Sequence, residues 1–280
     1  MSPLRVIAPA TESAGSSVVV PRASRGPRGE KERRAVDHVC ASLDCRSDIE
    51  CRVATSRQEL FEAFHLVYEQ YRQSGLMTPN ACQMRITPYH LLPTTEVLVA
   101  LERGKVNCTM SVVRDGELGL PMESVYHEEV ASLRLREISL AEVSCLAEKH
   151  DPAAKSQSAL FQLMPLVAQL AYYRGVDQLL IAVHPRHARF YHRFLGFDVI
   201  AEERTYGKVC GKPAVALSAD LVHLSVNHPR VHQWMFGEPF PTAVLEYSPV
   251  HWNLLDEMRA IVDTCLGGTS AHERELEMVV

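Results

Sequence analysis

The chain has 280 residues, which corresponds to about two domains of ordinary size or one large domain with appendages. With 46% apolar and 22% charged residues, its composition is that of a globular protein, and no run reaches the ~18 to 20 apolar residues of a membrane span. A formal net charge of −5 and a pI near 6.2 argue against a general nucleic-acid binder, whose surface carries a basic excess.

The charge is unevenly spread. Residues 1–34 hold seven Lys or Arg and three Glu, a local +4 that leaves −9 on the remainder. The first aromatic residue is Phe61. Rich in Ser, Pro, Ala, Gly and Arg, residues 1 to about 50 bury too little apolar surface to offset chain entropy and read as a basic, disordered leader. The apolar stretch Ser17-Val18-Val19-Val20-Pro21 is too short for a secretory signal. Glu12, Glu30 and Glu32 weaken a transit-peptide reading, so a cytoplasmic protein is expected. Eight cysteines without a C-x-x-C are expected to stay reduced. Cys40, Cys45 and Cys51 match no zinc spacing. The histidine groups at 184–187 and 228–232 are each interrupted by proline, so no metal is expected.

Along the folded part, Ser56-Arg57-Gln58-Glu59 is a capping-box signature, followed by Leu60, Phe61, Phe64, Val67, Tyr68 and Tyr71 at helical spacing up to Gly75. Residues 76–94 carry prolines at 79, 88 and 93 and read as a long loop of the kind that is often functional. Val97-Leu98-Val99-Ala100-Leu101, a turn at Arg103-Gly104-Lys105 and a second run over 106–113 predict a β-hairpin. A short helix over 121–134 and a strand over 137–147 follow. A helix over 156–174 presents Leu160, Leu163, Met164, Val167 and Leu170 on one face, with Gly175 as its stop and Pro165 as a break or kink. A strand at 179–183, a helix at 187–195 and strands at 197–205 and 214–219 complete the domain. Beyond residue 220, a C-terminal extension ends in a helix opened by Ser248-Pro249, with Trp252, Leu255, Met258 and Val262 on one side.

This order implies an α/β (α+β) domain over residues 51–220, a mixed central β-sheet flanked by helices, as in the Gcn5-related N-acyltransferase superfamily. The segment from His184 through Phe190-Tyr191 to Gly196-Phe197 resembles that superfamily's strand-to-helix signature. Four further blocks narrow the resemblance: Gln83-Met84-Arg85-Ile86-Thr87, Gly119-Leu120-Pro121-Met122-Glu123, Glu128-Glu129-Val130-Ala131-Ser132-Leu133-Arg134 and Ala141-Glu142-Val143-Ser144-Cys145-Leu146-Ala147. Together they look like the long-chain N-acyl amino acid synthases, relatives of the acyl-homoserine-lactone synthases. The resemblance implies transfer of a fatty acyl group from acyl carrier protein to the α-amine of an amino acid.

Such a transfer needs a base for the ammonium proton, donors for the oxyanion and an acid for the departing thiolate. The resemblance places Glu142 as the base and Tyr191 as the acid. Ser144, Cys145, Leu146 and Ala147, with His184 and Arg189, fall at donor-binding positions. The acceptor's carboxylate calls for a cation, for which Arg85, Arg114 and Arg134 are equal candidates. Coenzyme-A-dependent members of the superfamily carry a glycine-rich loop after the central strand to cradle the pyrophosphate. Here no glycine occurs between Cys145 and Arg174. That absence favours the phosphopantetheine thioester of acyl carrier protein over acyl-CoA as donor, with no tightly bound cofactor. Lys149, Lys155, Arg186, Arg189 and Arg193 are then candidates to meet the acidic carrier. The acidic segment of the lactone synthases is missing at Met77-Thr78-Pro79-Asn80, and Cys145 stands where they have arginine, which disfavours a lactone product. Two alternatives stay open at this level: a CoA-dependent N-acetyltransferase of a small amine or peptide, and a non-catalytic acyl-binding regulator. The Pro165 kink would widen room for an acyl chain.

Overall fold

The computed structural model describes residues 49–149, 158–246 and 249–267. Cys40, Cys45, Lys155, Ser248 and most of the leader lie outside them. The leader reading includes Ile49 and Glu50, and these form the start of a strand, β1 (Ile49–Val53). Composition concealed it because a five-residue edge strand with two charges has no pattern of its own. Ser56 caps α1 (Arg57–Gln73) by accepting the Glu59 N–H at 3.2 Å. The Glu59 side chain does not close the box; it pairs with Arg52 of β1. The long loop follows, with a single 3-10 turn at Pro88–Leu91. The hairpin is β2 (Thr95–Glu102) and β3 (Lys105–Arg114). Next come α2 (Glu123–Leu135), β4 (Leu140–Glu148), α3 (Ala159–Tyr173), β5 (Gln178–Val183) and α4 (Pro185–Leu195). The strand expected over 197–205 is two short ones, β6 (Asp198–Val199) and β7 (Arg204–Tyr206), before β8 (Lys212–Asp220).

The strands form one mixed sheet in the order β1-β2-β3-β4-β5-β8-β6, with β7 also on β8. Every pairing is antiparallel except β4 with β5, which α3 connects as a crossover. Both faces of the sheet are covered, and this is why β2 reads as an unbroken apolar run rather than an alternation. Leu98 and Ala100 pack toward α3, whereas Val97, Val99 and Leu101 pack toward α1. A third cluster around Tyr126, Met122 and Leu180 closes the end nearest α2.

Two expectations about helices are corrected. Helix α3 continues through Pro165, and it is buried nearly all round, from Leu166 to Ala171 without interruption. The reason is a second layer: α5 (Leu224–Asn227), α6 (Pro229–Phe236) and α7 (Thr242–Leu245) cover the side of α3 that faces away from the sheet. The departure from helical angles falls in α2, at Tyr126. In the last helix, α8 (Trp252–Gly267), the buried stripe is Leu254, Met258 and Val262, set against α1, while Trp252 is 67% exposed. The expected face is thus rotated, because an isolated amphipathic pattern fixes the period better than the phase.

Helix α4 ends at Gly196, whose φ of +71° suits glycine, and the Phe197 N–H returns to the Tyr191 carbonyl at 3.2 Å. Phe197 is fully buried. Gln169 holds the C-terminal segment to α3: its amide donates to the carbonyls of Met235 (2.7 Å) and Glu238 (3.0 Å) and accepts from the Phe240 N–H (2.8 Å). Replacing it strands three backbone groups. Gln169→Leu is therefore expected to cost about 2 to 4 kcal/mol, read as a lower denaturation midpoint at unchanged slope.

Candidate active site

Strands β4 and β5 pair only at Leu140, Ala141 and Glu142 against Gln178, Leu179 and Leu180. Beyond that point β4 stays on β3 as far as Glu148, and β5 stays on β8 as far as Val183. The two strands part, and a cavity of about 1010 Å³ lies between them, lined by residues 142–148 of β4 and 181–183 of β5. Its volume is at the upper end for a small-molecule site. Leu160, Met164, Ile181, Phe190 and Phe197 give it an apolar wall, and Pro165 does not line it.

Within this stretch β4 carries a bulge. Thr109 pairs with Ala147 and Ser111 with Ser144, so Cys145 and Leu146 together oppose Met110. Cys145 takes a left-handed φ of +51°. An extra residue of this kind interrupts the ladder and turns backbone amides out of regular pairing. Ser144, Cys145, Leu146 and Ala147 all line the cavity.

Glu142 sits where the strands separate and is 2% exposed. Burial pushes its carboxyl up to about 8, against the opposing pull of a hydrogen bond from the Met122 N–H (2.7 Å) and the charge of Lys208. The Met122 amide is presented by the turn that opens α2. There Gly119 has a φ of +63°, and an added Cβ would lie 2.4 Å from the Glu123 carboxylate. Glu123 accepts the Leu120 N–H at 2.6 Å and pairs with Arg134. The block read as a family signature is thus the local structure that aims one amide at Glu142.

The remaining polar wall comes largely from the 76–94 loop. Arg85 donates to the Lys208 carbonyl at 3.3 Å and lies over the Tyr71 ring at 5.0 Å, and its buried Nε has no hydrogen-bond partner among the described residues. Burial opposes the guanidinium's charge, but the Cys145 thiol and Tyr71 outweigh it and the group stays cationic. His90 is buried, and burial together with Arg85 pushes its imidazole down to about 3. It is therefore neutral: Nδ1 accepts the Thr87 N–H at 2.9 Å, which leaves the proton on Nε2, 2.9 Å from the Ser111 hydroxyl. Tyr206 donates to the Pro121 carbonyl at 2.9 Å.

Of the residues singled out from sequence, Glu142, Ser144, Cys145, Leu146, Ala147, Tyr191, His184 and Arg85 share this cavity. The Tyr191 hydroxyl is raised to about 12 by burial and by Cys108, and the ring packs against Phe190 and Phe197. His184 is also the N-cap of α4, accepting the Arg186 N–H at 3.3 Å. Arg189 is exposed on α4 and does not line the cavity. Arg114 and Arg134 stand elsewhere. Arg114 faces Glu96 and the Pro93 carbonyl, and Arg134 is held by Asp115 and Glu123 beside a separate shallow depression. Arginines already engaged by carboxylates are not brought to Glu142. Sequence reasoning missed Tyr71, His90, Ser111, Tyr206 and Lys208 as cavity residues; the proline-rich loop was the available signal for His90, and Tyr71 was visible only as one of the apolar positions of α1.

A mixed sheet between helical layers, whose one parallel strand pair parts over a cavity, is the architecture of an N-acyltransferase fold, and the protein is an acyltransferase. The family model described as N-acyl amino acid synthase FeeM matches residues 62–220, and the chain belongs to that family. Among solved structures it is similar to FeeM, an N-acyl amino acid synthase from uncultured soil microbes, at 26% identity and a TM-score of 0.58 over 66% of this chain and 96% of that one. It also shares its fold with the acyl-homoserine-lactone synthase LasI (15% identity, TM-score 0.50, 69% and 96% covered). The same holds for BjaI, a CoA-dependent acyl-homoserine lactone synthase (16%, 0.50, 76% and 98%). No curated protein matches the sequence. Among the described residues no helix is long and apolar enough to cross a membrane.

The raised carboxyl has a consequence for stability. Unfolded, Glu142 ionises near the ordinary glutamate value of about 4.3; folded, it does so near 8. The folded state therefore holds the proton longer, and stability from this group is lost as pH rises between those values. Glu142→Gln keeps an acceptor for the Met122 N–H and removes the ionisation. It is expected to melt above the parent by on the order of 5 °C at pH 9, with the gap shrinking toward pH 5. Equal gaps at both pH values would show that Glu142 is not held protonated.

Proposed function

We propose that the protein transfers a long-chain acyl group from the phosphopantetheine thioester of acyl carrier protein to the α-amine of an amino acid, in the cytoplasm. The observation that carries this reading is Glu142, buried where β4 and β5 part, with a carboxyl near 8. A group of that pKa exchanges protons with an amine near neutral pH, and its ionised fraction takes the ammonium proton directly or through one water. The freed amine attacks the thioester carbonyl, the C–N bond forms and the C–S bond breaks. Amides of the bulge at Cys145 to Ala147 face the developing oxyanion. Tyr191 gives a proton to the carrier's thiolate and regains one from the attacking nitrogen, which sheds its second proton as the amide forms. Arg85, the one of the three proposed arginines that lines the cavity, holds the acceptor's carboxylate, and the apolar wall takes the acyl chain.

The choice of donor is supported by Glu148. This last residue of β4 lies at the start of α3, where its carboxylate accepts the Ser158 hydroxyl at 2.7 Å and the Leu160 N–H at 3.4 Å. A helix N-terminus after a parallel strand is the usual seat of a phosphate. Here a protein anion holds that seat, which disfavours the diphosphate of CoA and leaves a carrier protein's single phosphate as the better fit. Lys149, Arg186, Arg189 and Arg193 add positive charge on exposed positions of β4's end and α4 for an acidic carrier.

Mass spectrometry of lipids from cells expressing the chain is expected to show a new N-acyl amino acid, and the purified protein to form it from long-chain acyl carrier protein. Absence of any such product with all twenty amino acids would refute the reading. Glu142→Gln should lower kcat/KM by about 10²- to 10⁴-fold. Glu148→Gln, which keeps one accepting oxygen for the Leu160 N–H, can donate to the Ser158 hydroxyl and removes the charge, should lower KM for acyl-CoA while leaving that for the carrier-bound donor unchanged. An unchanged preference would show that Glu148 does not select the donor.

A further inference from the structure

We infer that Lys208 is a positioning residue for Glu142, acting through the single peptide unit that joins Pro121 to Met122; the inference rests on Glu142 being the base. That peptide is gripped at both ends. Its carbonyl oxygen, on Pro121, accepts from Lys208 Nζ at 3.4 Å and from the Tyr206 hydroxyl at 2.9 Å. Its N–H, on Met122, donates to Glu142 Oε2 at 2.7 Å. Two donors on the oxygen fix the plane of the peptide and polarise its N–H toward the carboxylate, because hydrogen bonds in a chain strengthen one another where water is excluded. Lys208 follows β7 in the 3-10 turn Gly207–Val209, so the grip is closed by a segment far in sequence from both α2 and β4. The same residue receives Arg85 on its own carbonyl, which links the proposed acceptor cation to the base.

The groups that face Glu142 come from several elements. Lys208 and Tyr206 approach from β7 and its turn, Glu123 from α2, Tyr89 from the 3-10 turn after the loop, and Tyr71 from α1. Arg85 interacts with Tyr71 and Tyr206 on the same wall. The tyrosines are held neutral by burial. The charges at work are therefore an anion, Glu123, which resists ionisation of Glu142, and a cation, Lys208, which favours it. Removing the cation leaves the Met122 hydrogen bond alone to oppose burial and Glu123.

The test is the pH profile of kcat/KM with the carrier-bound donor. In Lys208→Met the acidic limb should move up by about one pH unit, with a roughly tenfold loss at pH 7 that closes on the alkaline side. Lys208→Arg should restore the parent profile. Tyr206→Phe, which removes one grip on the Pro121 carbonyl without changing charge, should shift the limb in the same direction by less. A uniform loss at every pH, or unshifted limbs in both variants, overturns the inference. If Glu142→Gln keeps the parent's activity and profile, the base assignment fails and takes the inference with it. An inactive Glu142→Gln beside an unshifted Lys208→Met overturns the inference alone.

Discussion

Strands β4 and β5 hold each other for three residues and then let go, and the cavity proposed as the active site lies at that release. A sheet cannot simply open in its middle, because two rows of backbone donors and acceptors would lose their partners. Here each strand keeps a neighbour on its other side, β3 for β4 and β8 for β5. The gap therefore exposes one edge of each strand to a cavity rather than dismantling the sheet. The bulge at Cys145 and Leu146 bends β4 within this stretch, and Glu142 marks the last paired position.

The same opening places groups where their protonation is set by surroundings rather than by their own chemistry. Glu142 is pushed toward its neutral form by burial and His90 toward its neutral form by burial and Arg85. At neutral pH the Glu142 shift runs against the ionisation that water favours and represents stability given up at the site, whereas an imidazole such as His90 is mostly neutral in water already. Compensation comes from the apolar layers on either side, where α3 and the C-terminal helices form one cluster and α1 and α8 another. Arg134, Glu123 and Asp115 form a polar clamp that steadies the turn before α2. Held in this clamp, Arg134 stays away from the cavity, while Glu123 reaches Glu142 through its charge.

Much of the fold was legible from the residues. The hairpin, α1, α2, α3 and α4 announced themselves through period and caps, and the Gly196 stop and the order of elements pointed to the right fold. What failed did so for identifiable reasons. Edge strand β1 was too short and too polar to stand out from the leader. Period alone could not say that Leu254 rather than Trp252 faces the core. Nor could composition distinguish Arg85 from Arg114 and Arg134, since an arginine beside a carboxylate and one facing a cavity look alike until their neighbours are known.

By itself the sequence determined the succession of helices and strands and the resemblance to the N-acyl amino acid synthases, because these depend on local periodicity, turn residues and short runs of side chains. Only the tertiary structure decided which residues line the cavity. The Pro121–Met122 peptide, Glu142 and Lys208 are separated by 20 to 87 positions along the chain. The carboxyl's proton affinity arises from burial and from charges contributed by other elements, quantities that exist only once the chain has folded around them.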